Sequence, residues 1–485
     1  MMTAQTRRLG FLPQEHFQAQ AAYSLLPCSF AAVGEQYVLT NLVGEYVLLS
    51  RPQLVEFVGK RLAPDAPLYR DLQAKHFLLD DTSDVALELL AAKVRTKLAN
   101  LASFTALHIF VTTLRCNNRC VYCQVSSQSA DRARYDMNET VAEQAVRFMF
   151  HSPSPHLKVE FQGGESLLNF PIVEFIVNRV RHYNRRQRRA IEFVICTNLT
   201  VLTDQILAFL SDNDDVYVSM SLDGPEELHN ANRPHAGGNS YQRTLANLRR
   251  VQEAIGPHRI SALMTTTRAT LAQPERVIDE YVRQGFTSIF LRSLNPYGRA
   301  SVQEYTSAEW NAFYARALDY IISINQRGVP LREEYAALVL RKLLTPHGTG
   351  FVDLQSPTGA GTGVLLYNYN GNIYPADEAR MLAEMGDEFF LLGNVCRTSY
   401  EDVVFSDKLV AMIKDTMLEG VPGCADCAFR PYCGVDPVKH YRLQGDVIGH
   451  KPTSEFCEKN QFLFRHLISL LERNPVARRV LSGWS

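Results

Sequence analysis

Short apolar or alternating runs recur through the middle of the chain, each followed by a longer stretch with helical periodicity. The strand-like runs are His108–Thr112, Lys158–Phe161, Ile191–Ile195, Val216–Met220, Ile260–Met264 and Ser288–Leu291. Helical segments are expected near Asn138–Phe150, Pro171–Arg189, Thr203–Leu210, Tyr241–Ala254, Pro274–Gln284 and Ser307–Asn325. Repeated strand–helix units predict an α/β fold, a parallel sheet with helices outside, either doubly wound or curled into a barrel. In such barrels the active groups sit on loops after the strand C-termini. Cys116–Cys123, Gly163-Gly164-Glu165, Cys196-Thr197-Asn198 and Leu222-Asp223-Gly224 all follow strands, so one rim is expected to gather them.

The flanks read differently. In the section up to about Ala106, the strand-like Tyr37–Thr40 and Tyr46–Leu49 flank a turn-like Asn41-Leu42-Val43-Gly44, which predicts a hairpin. Ser50 is positioned to cap a helix from Pro52 to Lys60, and a second helix fits Val85–Leu101. From about Leu343 the chain is rich in Gly, Pro and Thr, which predicts irregular loops. A hairpin at Val364–Tyr374, turning at Asn370-Gly371, and a last helix at Ser454–Leu471 follow. The expected organisation is a small α+β domain over 1–105, a βα domain over 106–342 and a third section over 343–485.

Composition narrows the function. Apolar residues make up 46% of 485, enough for a large core. The formal charge, 50 − 51 = −1, argues against bulk electrostatic attachment to nucleic acid or an anionic membrane. The basic run Arg179–Arg189 reads as a solvated helix face, since only His182 and Tyr183 interrupt the charge. No apolar run approaches the roughly 20 residues needed to cross a bilayer, and the start carries no apolar segment of signal-peptide length. A cytoplasmic protein without nucleic-acid or membrane partners is expected.

Ten cysteines are too few for a disulfide scaffold of this length, and they cluster. Cys116-Asn-Asn-Arg-Cys120-Val-Tyr-Cys123 places three thiols on one short loop after the first strand. Three thiolates hold three corners of a cubane and leave the fourth iron open to a chelating ligand; zinc is the alternative. Cys424, Cys427, Cys433 and Cys457 supply four thiolates, which suit a tetrahedral zinc and a closed cubane equally. Cys196 reads as a buried small hydrophobe, while Cys28 and Cys396 have no partner at metal spacing.

The cysteine triplet, with Tyr122 before its last member, resembles the radical S-adenosylmethionine (radical SAM) family. That resemblance implies a partial (β/α)6 barrel and a [4Fe-4S] cluster on Cys116, Cys120 and Cys123 whose open iron binds S-adenosylmethionine. It also implies reductive cleavage to a 5′-deoxyadenosyl radical, with an electron donor of flavodoxin or ferredoxin type. Phe161-Gln162-Gly163-Gly164-Glu165 resembles the GGE motif that holds the methionine ammonium. Ser221 and Arg233 match positions that contact ribose and carboxylate, and Leu294–Gly298 matches a segment that closes over adenine.

The second cysteine group resembles the SPASM extension of radical SAM enzymes that act on peptides. The full SPASM pattern has seven cysteines and two auxiliary clusters. Here Ala376 and Pro437 stand where cysteines are expected, and Gln355–Gly361 contains none. All three vacancies belong to the first auxiliary cluster, whereas Cys424, Cys427, Cys433 and Cys457 match the complete ligand set of the second, one auxiliary [4Fe-4S] cluster. Asp377 matches an acidic residue proposed to take a substrate proton in sulfatase-maturing relatives; a helix cap is the plainer reading. The first section resembles winged-helix modules that bind leader peptides by β-augmentation, with a bracing role as the alternative.

End to end, the chain resembles the HxsB type of His-Xaa-Ser system radical SAM maturases, carried by Leu68–Asp80, Ala91–Thr96, Leu107–Gln128 and Ser152–Phe170. That resemblance implies post-translational modification of small proteins with His-Xaa-Ser repeats, alongside a second radical SAM maturase. Two rival readings are a sulfatase-type formylglycine maturase and a non-catalytic, zinc-bearing peptide scaffold.

Overall fold

The computed structural model describes residues 23–82, 85–125, 127–302 and 305–485. The start of the chain, read above for signal-peptide character, lies outside them. Two compact units form, residues 1–95 and 96–485.

In the first unit, β1 (Cys28–Val33), β2 (Gln36–Asn41) and β3 (Tyr46–Leu49) make an antiparallel sheet in that order. The expected hairpin is β2–β3, and β1 is an additional strand. Asn41 builds the turn, its Oδ1 accepting from the Val43 and Glu45 amides, both at 3.0 Å. Ser50 caps α1 (Arg51–Val58) through a capping box with Gln53. Leu54 and Phe57 of α1 and Leu72 of α2 (Pro67–Ala74) pack on Leu39 and Leu49. The helix expected at Val85–Leu101 is α3 (Ala86–Lys97).

The second unit is built on a sheet that runs in sequence order. β4 (Leu107–Thr113), β5 (His156–Gly163), β6 (Ala190–Thr197), β7 (Val216–Ser221), β8 (Ile260–Thr265) and β9 (Leu291–Arg292) are successive parallel neighbours. The intervening helices include α4 (Glu139–Met149), α5 (Phe170–Gln187), α6 (Asp204–Asp212), α7 (Ser240–Ile255), α8 (Pro274–Arg283) and α9 (Ser307–Gln326). Asn138, Thr203 and Thr306 side chains cap α4, α6 and α9, which is why the helices begin where their polar residues fall.

Alternation along the strands decides what faces where. On β5, Leu157, Val159 and Phe161 are buried, while Lys158, Glu160 and Gln162 line the interior. The interior positions of β6 and β7 include Glu192, Cys196, Ser219 and Ser221. The barrel lumen is therefore polar, and its apolar core lies between sheet and helices.

The sixth strand departs from expectation. Ser288–Ile289 pairs with Arg332–Glu333, and only Leu291–Arg292 joins β8. The Glu333 carboxylate accepts the Leu291 amide at 3.1 Å, so a side chain takes the bond a continuous strand would give to its neighbour. After α10 (Glu334–Leu344), the expected hairpin forms as β10 (Val364–Tyr367) and β11 (Asn372–Tyr374), with β12 (Gly393–Asn394) added to its edge. β10 also pairs parallel with β4, so the hairpin extends the barrel sheet to nine strands. The chain closes with α11 (Asp377–Ala383), α12 (Pro437–Gln444), α13 (Glu455–Arg473), capped by Ser454, and a short helix over 475–482.

The basic run on α5 is partly committed to ion pairs. Arg179 binds Glu143 of α4, Arg181 binds Asp215, and Arg189 donates to the Ser152 carbonyl. Among the described residues no helix is long and apolar enough to cross a membrane.

Candidate active site

The loop after β4 carries the cysteine triplet, and both of its ends are held. Arg115 makes a two-pronged ion pair with Asp136, at 2.7 and 2.8 Å, and donates to the Leu168 carbonyl. Beyond Cys116, the Arg119 and Val121 amides bond to the Pro234 and Asn232 carbonyls. On the far side, Arg299 donates its amide to the Cys123 carbonyl. Gly298 lies so close that a Cβ there would fall 2.5 Å from the same oxygen.

The GGE segment packs directly on this loop. The Gly164 and Glu165 amides bond to the Thr113 and Arg115 carbonyls, both at 2.8 Å. A Cβ on Gly163 would meet the Thr113 oxygen at 2.0 Å and one on Gly164 the Arg115 oxygen at 2.2 Å, so only glycine allows this approach. The Glu165 carboxylate turns inward: it is buried and accepts from Thr197 Oγ1, the Asn198 amide and the Leu167 amide. The carboxylate thereby ties the segment after β5 to the one after β6.

Tyr122 and Arg233 meet on Asp223. Tyr122 donates to Asp223 Oδ2 at 2.6 Å, and Arg233 spans both carboxylate oxygens at 3.0 and 3.1 Å. The guanidinium lies 5.3 Å from the centre of the Tyr122 ring. Asp223 was readable only as a turn residue; its role appears when β7 and the cysteine loop come together.

Cys116, Cys120, Cys123, Tyr122, Gly163 and Gly164 line one cavity of about 500 Å³. Ser221, Arg233 and Asp377 face the same space, as does Cys196, whose Sγ lies 3.4 Å from Glu160 Oε1. Cys196 is therefore a wall residue, not the sequestered hydrophobe expected, because the interior face of β6 is polar. Leu294 does not line the cavity; its amide bonds to the Tyr305 hydroxyl. The segment it introduces reaches the site through Gly298 and Arg299.

Asp377 begins α11, but Ala376 is the N-cap and no side chain caps the helix. The Asp377 carboxylate accepts from Arg380 at 2.8 Å, and Arg380, fully buried, also donates to the Val125 carbonyl at 2.9 Å. This links the acid to the cysteine loop and displaces the helix-cap reading.

The donor set suits an iron–sulfur cluster. Burial pushes the Cys116 thiol up to about 12, with the Glu165 charge adding, and burial raises Cys120 to about 11. For Cys123 burial acts upward too, but hydrogen bonds from Ser127 and the Arg299 charge outweigh it and hold the thiol below its usual range. Burial thus favours the neutral thiols of Cys116 and Cys120, and the thiolate form that ligates would need a compensating positive centre. Among the described residues, no group of three or more His, Cys, Asp or Glu side chains is arranged about a single ion. Gly163 and Gly164 line the cavity beside the triplet.

The second group assembles from separate segments. Cys424 and Cys427 share a turn in which the Cys427 amide bonds to the Cys424 carbonyl. Cys433 follows a one-turn helix, and Cys457 lies in the first turn of α13, its amide bonded to Ser454 Oγ. Burial raises the Cys424, Cys427 and Cys433 thiols, with nearby Cys457 adding to each, so the four share one region. Lys451 and Arg465 border it, and Lys342 donates to the Cys433 carbonyl.

Residues 110–281 match the Radical SAM superfamily, a family that implies S-adenosylmethionine and a [4Fe-4S] cluster. Over 272 residues the chain is 25% identical to the cysteine-type anaerobic sulfatase-maturating enzyme of Clostridium perfringens (strain ATCC 13124), covering 54% of this chain and 71% of that protein. Among solved structures it resembles native anSMEcpe with bound AdoMet, with TM-score 0.64 and 18% identity, over 78% of this chain and 100% of the other. It also resembles Streptococcus suis SuiB bound to precursor peptide SuiA, with TM-score 0.51 and 14% identity, over 88% and 98%. At these identities the two structures establish likeness of fold.

Proposed function

We propose that the chain is a radical SAM peptide maturase that modifies a small protein with His-Xaa-Ser repeats. The observation that carries this reading is the convergence of Cys116, Cys120, Cys123, the Gly163-Gly164 turn, Ser221, Arg233 and Asp377 on one polar cavity. When bound, the cluster and S-adenosylmethionine would supply a carbon-centred radical able to abstract hydrogen. The protein's own part is to hold and shield. The three cysteines ligate, the Gly163-Gly164 backbone offers polar groups to the methionyl end, and Ser221 and Arg233 bind ribose and carboxylate. Asp377, oriented by Arg380, takes the substrate proton.

Cys424, Cys427, Cys433 and Cys457 hold one closed auxiliary cluster in this reading, flanked by the cations of Lys451 and Arg465. In the same reading, the β1–β2–β3 sheet serves a leader peptide by strand addition. A flavodoxin- or ferredoxin-type donor and a second radical SAM maturase complete the system.

The sulfatase-maturating relative supports a second reading, formylglycine formation at Cys or Ser. The vacancies at Ala376, Pro437 and Gln355–Gly361 speak against it. Mass spectrometry of a co-expressed repeat peptide separates them: a mass change within the repeats supports the first, and conversion of a sulfatase-type Cys peptide alone supports the second.

A further inference from the structure

Cys457, Gln461 and Arg465 follow one another at intervals of four residues, so α13 carries them as one stripe along its surface. The stripe is hydrogen-bonded in series. Arg465 Nη1 donates to Gln461 Oε1 at 2.8 Å, and Gln461 Nε2 donates to Cys457 Sγ at 3.2 Å.

The order of partners fixes the direction of the middle link. An amide side chain has one accepting end and one donating end, and its neighbours decide which points where. A guanidinium only donates, so Arg465 claims the Gln461 oxygen and turns the NH2 group towards the sulfur. A ligating thiolate only accepts, so this orientation suits Cys457 in the form that holds a metal. Arg465 is itself seated: its guanidinium lies 4.8 Å from the centre of the buried Phe429 ring, which stands between Cys427 and Cys433 in the chain. The stripe therefore ties the cysteine on α13 to the segment that carries two of its companions.

One-electron reduction of a thiolate-ligated cluster adds a negative charge that spreads onto its sulfurs. An N–H directed at a ligating sulfur, backed by a cation, stabilises the reduced form more than the oxidised one and raises the reduction potential. We propose that Gln461, oriented by Arg465, is a positioning residue that raises the potential of the auxiliary cluster through Cys457. The inference rests on the auxiliary-cluster part of the reading above and adds the residues that set its redox behaviour.

The test is a dithionite titration followed by electron paramagnetic resonance on the full, iron-reconstituted chain with Cys116, Cys120 and Cys123 changed to Ala, so that only the second cysteine group holds iron. Adding Gln461→Leu should keep the iron and shift the one-electron equilibrium about fivefold towards the oxidised form, about 40 mV lower at about 59 mV per decade. The isosteric Gln461→Glu, which keeps an acceptor for Arg465 but loses the amide donor, should lower the potential at least as far. Arg465→Met should also lower it, and by less once Gln461 is already Leu, because the two residues act in series. An unmoved potential in iron-loaded Gln461→Leu overturns the inference and leaves the auxiliary cluster standing. Equal shifts from Arg465→Met in both backgrounds overturn the relay, since the arginine would then act by its charge alone. Loss of iron from both Gln461 variants also overturns it, because the residue would hold the cluster rather than tune it. Absence of iron from the parent chain overturns the auxiliary-cluster reading, and the inference with it.

Discussion

Tyr122 donates a 2.6 Å hydrogen bond to Asp223, joining the cysteine loop to the segment after β7. The same carboxylate holds the buried Arg233 guanidinium, so one acid positions a ring beside the triplet and a cation aimed at the cavity. Replacing Asp223 by Ala leaves Arg233 charged and unpaired, which costs about 3–5 kcal/mol for a buried pair. The expected result is a clear fall in thermal midpoint and poor iron retention. Tyr122→Phe should lower the midpoint less, because the Asp223–Arg233 pair survives. Equal effects of the two substitutions would show that the tyrosine, not the ion pair, organises the loop.

Metal content tests the cysteine assignment. Two cubanes imply about eight irons per chain after anaerobic reconstitution, and Cys116, Cys120 and Cys123 all changed to Ala should leave about four. About twelve in the unaltered chain would mean that a third cluster binds despite Ala376 and Pro437. Zinc without acid-labile sulfide would favour the scaffold reading.

Reductive cleavage tests the open cluster. With dithionite and no peptide, 5′-deoxyadenosine and methionine should be released slowly, and Cys120→Ala should abolish the release. Gly164→Ala should reduce it severely too, since the added Cβ would fall 2.2 Å from the Arg115 carbonyl and push the two loops apart. Undiminished cleavage by the Cys120 variant would remove the central assignment.

The first unit can be tested separately from the chemistry. Deleting residues 1–95 leaves β4 and the Thr105 amide bond to the Thr362 carbonyl in place. A truncated chain that still loads iron should cleave S-adenosylmethionine yet fail to modify the repeat peptide, because tethering of the leader is lost. Modification at the full-length rate would reassign the first unit to bracing.

Acid stability should depend on Glu143. Its hydrogen bonds from Arg179, Tyr183 and Arg147 pull the carboxylate down to about 2. A carboxylate lowered on folding contributes stability that is fully present above its unfolded value near 4.5 and is lost as pH falls towards 2. Glu143→Gln should therefore reduce the thermal midpoint at pH 6 and flatten its decline between pH 4.5 and 2. An unchanged acid limb would show that the α4–α5 ion pairs contribute little.

The local pattern of the sequence determined the first five strands, the helices between them, the cap at Ser50 and the two groups of cysteines. These follow from period, turn chemistry and ligand spacing, which act over a few residues. It did not determine the split of Ser288–Leu291, because the competing acceptor, Glu333, is some forty residues away. Nor did it reveal that Glu165 faces inward, that Asp223 serves both Tyr122 and Arg233, or that β10 joins β4. Each of those depends on which loops the sheet brings into contact. The polar lumen shows both halves of the matter: alternation placed Lys158, Glu160 and Gln162 on one face of β5, but only the curl of the sheet made that face a wall of the cavity beside the cysteine triplet.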